Sequence, residues 1–217
     1  MYNNADEIKR TMLRWLQNGG IKFSKEEVAI GNEVLFGTKM RRADLLLISG
    51  GETHAFEIKS DCDNTKKLVE QINDYVLTFN RVSVVTGPKL LNKILTILPP
   101  DVGIILVDNS DVCTIRKARK IRHLDKEYLS LFLDKATAGK LSGMSRFSRY
   151  TIGEVRQYTI KHCSYHQLCE AVYELLYKRY RTLYSNFLDE TEGYAYSNDE
   201  LKILCWKCYP HKLWILQ

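Results

Sequence analysis

Three residues set the chemical question in this sequence. Asp44 follows the basic pair Arg41-Arg42 and opens the apolar string Leu45 to Ile48, while Glu57 and Lys59 close a second apolar string, Thr53 to Lys59. Gly50-Gly51 lies between the two strings, a pair suited to the positive φ angles of a two-residue hairpin turn. With those two glycines as the loop, Ser49 faces Glu52, and counting outward brings Asp44 opposite Glu57. Directly opposed residues share a sheet face about 4.5 to 5.5 Å apart, where like charges repel unless a cation intervenes. Lys59, two residues beyond Glu57, points to that same face. Both strings are nearly continuous in apolar residues, so both faces of the hairpin are expected to be buried. Buried carboxylates and lysines are rare unless they are paired or hold a metal. Two arrangements satisfy this pattern. In one, Lys59 bridges the two carboxylates as a salt-bridge triad. In the other, Asp44, Glu57 and the Ile58 backbone carbonyl hold a hard divalent cation, and Lys59 holds or activates a water.

The surrounding elements must position this hairpin. Ile8, Met12, Leu13 and Leu16 recur at helical spacing over residues 5–17, and Gly19-Gly20 stops that helix. A second helix is expected from Ser24, which forms a capping-box spacing with Glu27, through Val28 and Val34 towards Gly37. After the hairpin, a helix over about 65–80 carries Leu68, Ile72, Val76 and Phe79 on one stripe. Residues 81–86 and 103–108 read as buried strands on either side of a short helix over 89–98, and residues 112–118 as an edge strand. From Leu124 onward the repeat is helical throughout. The expected architecture is an α/β core over residues 1–123, a mixed sheet flanked by helices, followed by a helical C-terminal extension over 124–217.

Composition narrows the class. The 217 residues are 45% hydrophobic and 27% charged, which excludes disordered, collagenous and low-complexity chains. No apolar run approaches the roughly 18 residues that would span a bilayer. Asp6 and Glu7 near the N-terminus oppose a secretory signal, and six cysteines without a dense framework suit a reducing compartment, so a cytoplasmic protein without membrane attachment is expected. The formal charge of +6 permits a polyanionic partner. Its sharpest local clusters are Lys39, Arg41 and Arg42, and the run from Arg116 to Arg122. Both are suited to holding a nucleic-acid backbone without reading its bases.

Asp44, the hairpin, Glu57-Ile58-Lys59 and the helix and strand that follow resemble the PD-(D/E)xK nuclease superfamily, which has the restriction-endonuclease-like fold. The similarity spans about residues 24–110, and the strings RRADLLLI and AFEIKSD are most similar to a small uncharacterised bacterial and phage branch with RecB-type features. The proline that usually precedes the first aspartate is Ala43 here. What the resemblance implies is hydrolysis of phosphodiester bonds with Mg²⁺, or Mn²⁺ in its place: Asp44 and Glu57 as metal ligands, Lys59 as the catalytic lysine. Many members carry a further glutamate ligand on the helix before the motif, and Glu33 occupies that position; an ordinary exposed helix residue is the other reading. Gln71 and Tyr75 match the Q-x-x-x-Y of the RecB-type branch, where the pair contacts nucleic acid or the site, and their spacing of four puts both on one helix face. Tyr75 also borders the apolar stripe and suits packing.

The expected partner is nucleic acid, DNA before RNA, in a defence, mobile-element or repair context. A second copy of the chain, or an immunity or regulatory protein if the nuclease is a toxin, is also compatible. The competing class is a non-catalytic nucleic-acid or protein-binding module that retains the fold. Cys205, Cys208, His211, His162, Cys163, His166 and Cys169 supply nitrogen and sulfur donors, but their intervals do not match a zinc finger, so zinc is not expected. Tyr173, Tyr177, Tyr180, Tyr184 and Phe187 form a stripe at helical spacing that reads as packing before base stacking.

Overall fold

The computed structural model describes residues 4–22, 27–191 and 197–207. Helix α1 (Ala5–Gln17) starts where the Asn4 side chain accepts a hydrogen bond from the Asp6 N–H, with Asp6 and Glu7 in the first turn, where the helix dipole favours negative charge. Strand β1 (Val28–Phe36) then pairs antiparallel with β2 (Arg41–Ser49), and β2 pairs antiparallel with β3 (Glu52–Lys59). Helix α2 (Leu68–Thr78) crosses over to β4 (Arg81–Thr86), and α3 (Pro88–Ile97) to β5 (Gly103–Asp108), both joining in parallel. Strand β6 (Asp111–Arg116) adds antiparallel at the edge. Among the described residues these six strands form one mixed sheet in the order β1-β2-β3-β4-β5-β6. Among the described residues five further α-helices follow: α4 (Lys126–Ser130), α5 (Lys135–Leu141), α6 (Ile152–His162), the long α7 (Tyr165–Thr191) and α8 (Asn198–Leu201).

The helix expected over 24–37 is instead β1, and burial on both faces is the reason. Val28 and Ile30 pack on the α1 side, whereas Ala29, Val34 and Phe36 enter the opposite core, so the segment is covered on both sides as an inner strand is. The first half of the expected capping box, Ser24, lies outside the described residues. Within β1, Gly31 has a packing reason: a Cβ there would come 2.7 Å from the Tyr180 ring of α7, so the glycine is the slot that seats this aromatic.

Alternation along β2 and β3 sends side chains into two cores. Leu45, Leu47, Phe56 and Ile58 pack under α1 against Ile8, Met12, Leu13 and Leu16. Leu46, Ile48 and Ala55 face α2, where Leu68, Ile72, Tyr75 and Phe79 meet them. That second core continues without a break into Leu129, Leu133, Leu168, Leu176 and Leu183 of the C-terminal helices. Each large apolar side chain buried this way contributes about 1.5–3 kcal/mol, so the C-terminal helices are bound to the sheet by a shared interior. Tyr180, Tyr184 and Phe187 are buried in these cores, as a packing stripe requires.

Candidate active site

The site is built on the β2–β3 hairpin. Gly50 and Gly51 both have positive φ, 57° and 77°, and the ladder runs from Ser49↔Glu52 to Leu45↔Phe56. The next step of that register is Asp44 opposite Glu57. At that point the ladder ends, and the Asp44 carboxylate replaces it: Oδ2 accepts the Ile58 backbone N–H at 2.7 Å. The carboxylate is thereby held against the Glu57-Ile58-Lys59 backbone.

Glu57 is 3% exposed and gathers three side-chain donors. The Lys59 ammonium lies 2.6 Å from Oε1, the Gln71 amide donates to the same oxygen at 2.8 Å, and the Tyr75 hydroxyl lies 2.5 Å from Oε2. Gln71 and Tyr75 come from one face of α2, which covers this side of β3. Burial, followed by the negative charge of Glu57, pushes the Tyr75 hydroxyl well above the usual phenol range, so it stays protonated and donates. Tyr75 also packs edge-on against Phe36 with ring centroids 4.5 Å apart. Packing and site support are therefore both functions of this tyrosine.

Asp44 bears the electrostatic consequence of the pairing. Its pKa is raised to about 7, chiefly by burial and next by the charge of Glu57, against the opposing pull of Lys9 and the Ile58 N–H. Burial more than charge thus makes the Asp44 carboxylate costly to ionise without a cation beside it. Two carboxylates beside a peptide carbonyl are hard oxygen donors of the kind that holds Mg²⁺, which binds through one or two carboxylates and retains several waters. Asp44, Glu57 and the Ile58 carbonyl fit such an ion. Among the described residues no three His, Cys, Asp or Glu side chains already converge on one point, and lysine ammonium groups stand beside both carboxylates.

Glu33 reaches the site from β1, and the expectation of a glutamate on a preceding helix is corrected accordingly. The β1–β2 ladder skips Glu33, whose register partner would be Asp44, and its φ is +54°. An L-residue at positive φ inside a strand is strained, and such strain is held where the side chain must point a particular way. Here it points to Lys9, a residue that sequence reasoning missed. The Lys9 ammonium of α1 lies 2.7 Å from Glu33 Oε1, 3.0 Å from Asn32 Oδ1 and 3.9 Å from Asp44 Oδ1. The available signal was a charged residue directly beside Ile8 on the apolar stripe of an amphipathic helix.

The basic residues divide. Arg41 pairs with Asp74 and with Glu70, and Lys39 lies 2.5 Å from Glu70, so these two groups are tied to α2 instead of standing free for a backbone phosphate. Arg42 is 61% exposed, with Glu33 Oε2 3.8 Å away, and stands at the rim of the site. In the distal run, Arg116 donates to the Val102 and Pro99 carbonyls, Arg119 pairs with Asp101 and Lys120 with Glu52. A cleft of about 380 Å³ opens beside Glu33, lined in part by Thr38, Met40, Arg156 and Arg179. Cys163 and Cys205 are buried free thiols, whereas Cys208 and His211 lie outside the described residues.

The family model described as Bacteriophage P4 protein cII matches residues 2–205. Protein cII of Enterobacteria phage P4 is 28% identical over 203 residues, covering 91% of this chain and 74% of its own length. Among solved structures, the SPO1766 protein of unknown function from Silicibacter pomeroyi aligns with a TM-score of 0.45 and 17% identity, over 70% of this chain and 97% of that one.

Proposed function

This chain belongs to the Bacteriophage P4 protein cII family, and from its site we propose that it is a metal-dependent nuclease of the PD-(D/E)xK type, hydrolysing phosphodiester bonds of nucleic acid, DNA first, in the cytoplasm. One observation carries the reading: Asp44 is held against the strand that bears Glu57 and Lys59, with Gln71 and Tyr75 of one helix face closing on the Glu57 carboxylate. Asp44, Glu57 and the Ile58 carbonyl would hold Mg²⁺ or Mn²⁺. When bound, that ion polarises the scissile phosphate and lowers the pKa of the attacking water.

The chain's own groups do the rest. Gln71 and Tyr75 fix the plane of the Glu57 carboxylate, each occupying a different oxygen. Lys59 shifts its ammonium from Glu57 to the attacking water, orients it and offsets the negative charge that develops on the phosphate. Arg42, exposed at the rim, and Arg179 in the cleft beside Glu33 would give the nucleic-acid backbone basic contacts next to the site, while Arg156 of the same cleft is held by the Leu131 and Leu133 carbonyls. Lys39 and Arg41 brace α2 against β2 and so support the side of the site that Gln71 and Tyr75 form.

The test is incubation of wild type and Lys59→Ala with labelled single- and double-stranded DNA and RNA, in Mg²⁺, Mn²⁺ or EDTA. Cleavage by wild type that needs the divalent ion and disappears in the variant is expected. A Lys59→Ala protein that cuts as fast as wild type overturns the mechanism.

A further inference from the structure

Lys9 is the buried cation to which the proposed mechanism assigns nothing. Its side chain is 7% exposed, and a lysine so enclosed must be matched by acceptors to remain charged. The match is close. Glu33 and Asn32 accept from the ammonium at 2.7 and 3.0 Å, and an oxygen of Asp44 lies 3.9 Å away. Asn32 is itself oriented, because its Nδ2 donates to the Leu201 carbonyl at 2.8 Å, which turns Oδ1 towards Lys9. The ammonium therefore sits among oxygens from β1 and β2, where a compact point charge is favoured.

We propose that Lys9 takes the place of a second cation between Glu33 and Asp44, so that the site accepts a single divalent ion on the Asp44–Glu57 side and Glu33 binds Lys9 instead of metal. This inference rests on the nuclease reading above. Formal charge supports it: Glu33, Asp44 and Glu57 bring three negative charges, and Lys9, Lys59 and the exposed Arg42 bring three positive ones. One divalent ion leaves the cluster two charges positive, an excess that a bound phosphate offsets. Two would leave a partly buried site four charges positive, which desolvation opposes. The strained φ of Glu33 has its explanation in the same contact, since it turns the carboxylate onto the ammonium.

The experiment counts ions. Mn²⁺ is titrated into the full-length wild type, Glu33→Gln and Lys9→Met, with free Mn²⁺ followed by electron paramagnetic resonance and folding checked by thermal melts. Wild type is expected to bind one Mn²⁺. Glu33→Gln should also bind one, with an affinity within about threefold of wild type, short of the roughly tenfold or greater loss that accompanies removal of groups bearing on a metal. Lys9→Met should take up a second ion. Two ions in the wild type, a loss of about tenfold or more in Glu33→Gln, or a folded Lys9→Met that still binds one ion overturns the proposal. If Lys9→Met does not fold, the wild-type count and Glu33→Gln decide. Two ions in the wild type that are both lost in Glu57→Gln would sink this inference and leave the nuclease reading intact, whereas no Mn²⁺ binding by wild type sinks both.

Discussion

Strand β3 carries two buried titratable groups, His54 and Glu57, three residues apart, and the fold resolves them in opposite ways. His54 faces the α1 side of the sheet, stacked on Phe56 with ring centroids 4.3 Å apart and with its Nε2 2.9 Å from Ser83 Oγ. Burial, reinforced by Arg81, lowers its pKa to about 3, so it stays neutral with a hydroxyl neighbour. Glu57 faces the α2 side with a lysine, an amide and a phenol aimed at it and a second carboxylate on the next strand. A buried group that sheds its charge needs few partners and serves packing. A buried carboxylate set beside a second one must recruit them, and convergence of acidic and donor groups in one place marks a candidate functional site.

The sharpest way to break this contrast is to remove the Lys59 ammonium beside Glu57. Lys59→Ala is expected to lower Mg²⁺-dependent cleavage by at least about a hundredfold, the scale of losing a group that stabilises developing charge. Ser83→Ala, at the other polar group, should leave cleavage near wild type. Equal losses in both variants, measured on the same labelled substrate, would erase the distinction.

Melting experiments probe the same pair energetically. Breaking a buried ion pair costs about 3–5 kcal/mol, and because Gln71 and Tyr75 still hold Glu57, Lys59→Ala should fall at or below the low end of that range. Saturating Mg²⁺ should raise the Tm of Lys59→Ala more than that of wild type, since it replaces the lost cation. A Lys59→Ala protein as stable as wild type, with no Mg²⁺ response, would remove the electrostatic argument.

The pH dependences of the two regions carry opposite signs. Asp44 titrates near 7 in the fold and near 3.8 when unfolded, so between those values the native state binds the extra proton and its stability falls as pH rises. His54 titrates near 3 in the fold and near 6.5 when unfolded, so over that window its contribution rises with pH and is complete above about 6.5. In the wild type without metal the two oppose each other. Asp44→Asn should therefore gain stability more steeply from pH 4 to 7 than wild type, and His54→Phe should gain less or lose. Denaturant midpoints of the three proteins across that range decide it, and parallel curves would refute both assignments.

The smallest effect is expected from Ser83→Ala itself. It leaves a buried imidazole nitrogen without its partner, at a cost of about 1–3 kcal/mol. A guanidinium midpoint unchanged from wild type would show that water satisfies His54 in the serine's place.

Much of this was determined by the sequence alone. Gly50-Gly51 and the two apolar strings settle a hairpin register in which Asp44 is the next partner of Glu57, because a two-residue turn with positive φ at both positions leaves no freedom to slip. The four-residue spacing of Gln71 and Tyr75 likewise puts both on one face of a helix, and packing then brings that face over Glu57. Only the tertiary structure decided the other half of the site. Residues 28–36 became a strand because the segment is buried between α7 and the α1 side of the sheet, an environment that local spacing does not reveal. Lys9 meets Glu33 from 24 positions away in sequence, and Arg41 is drawn onto Asp74 and Glu70 across the α2 interface. Periodicity records which face a residue occupies within its own element. Which charge from another element will lie opposite is set by packing, and on that the sequence is silent.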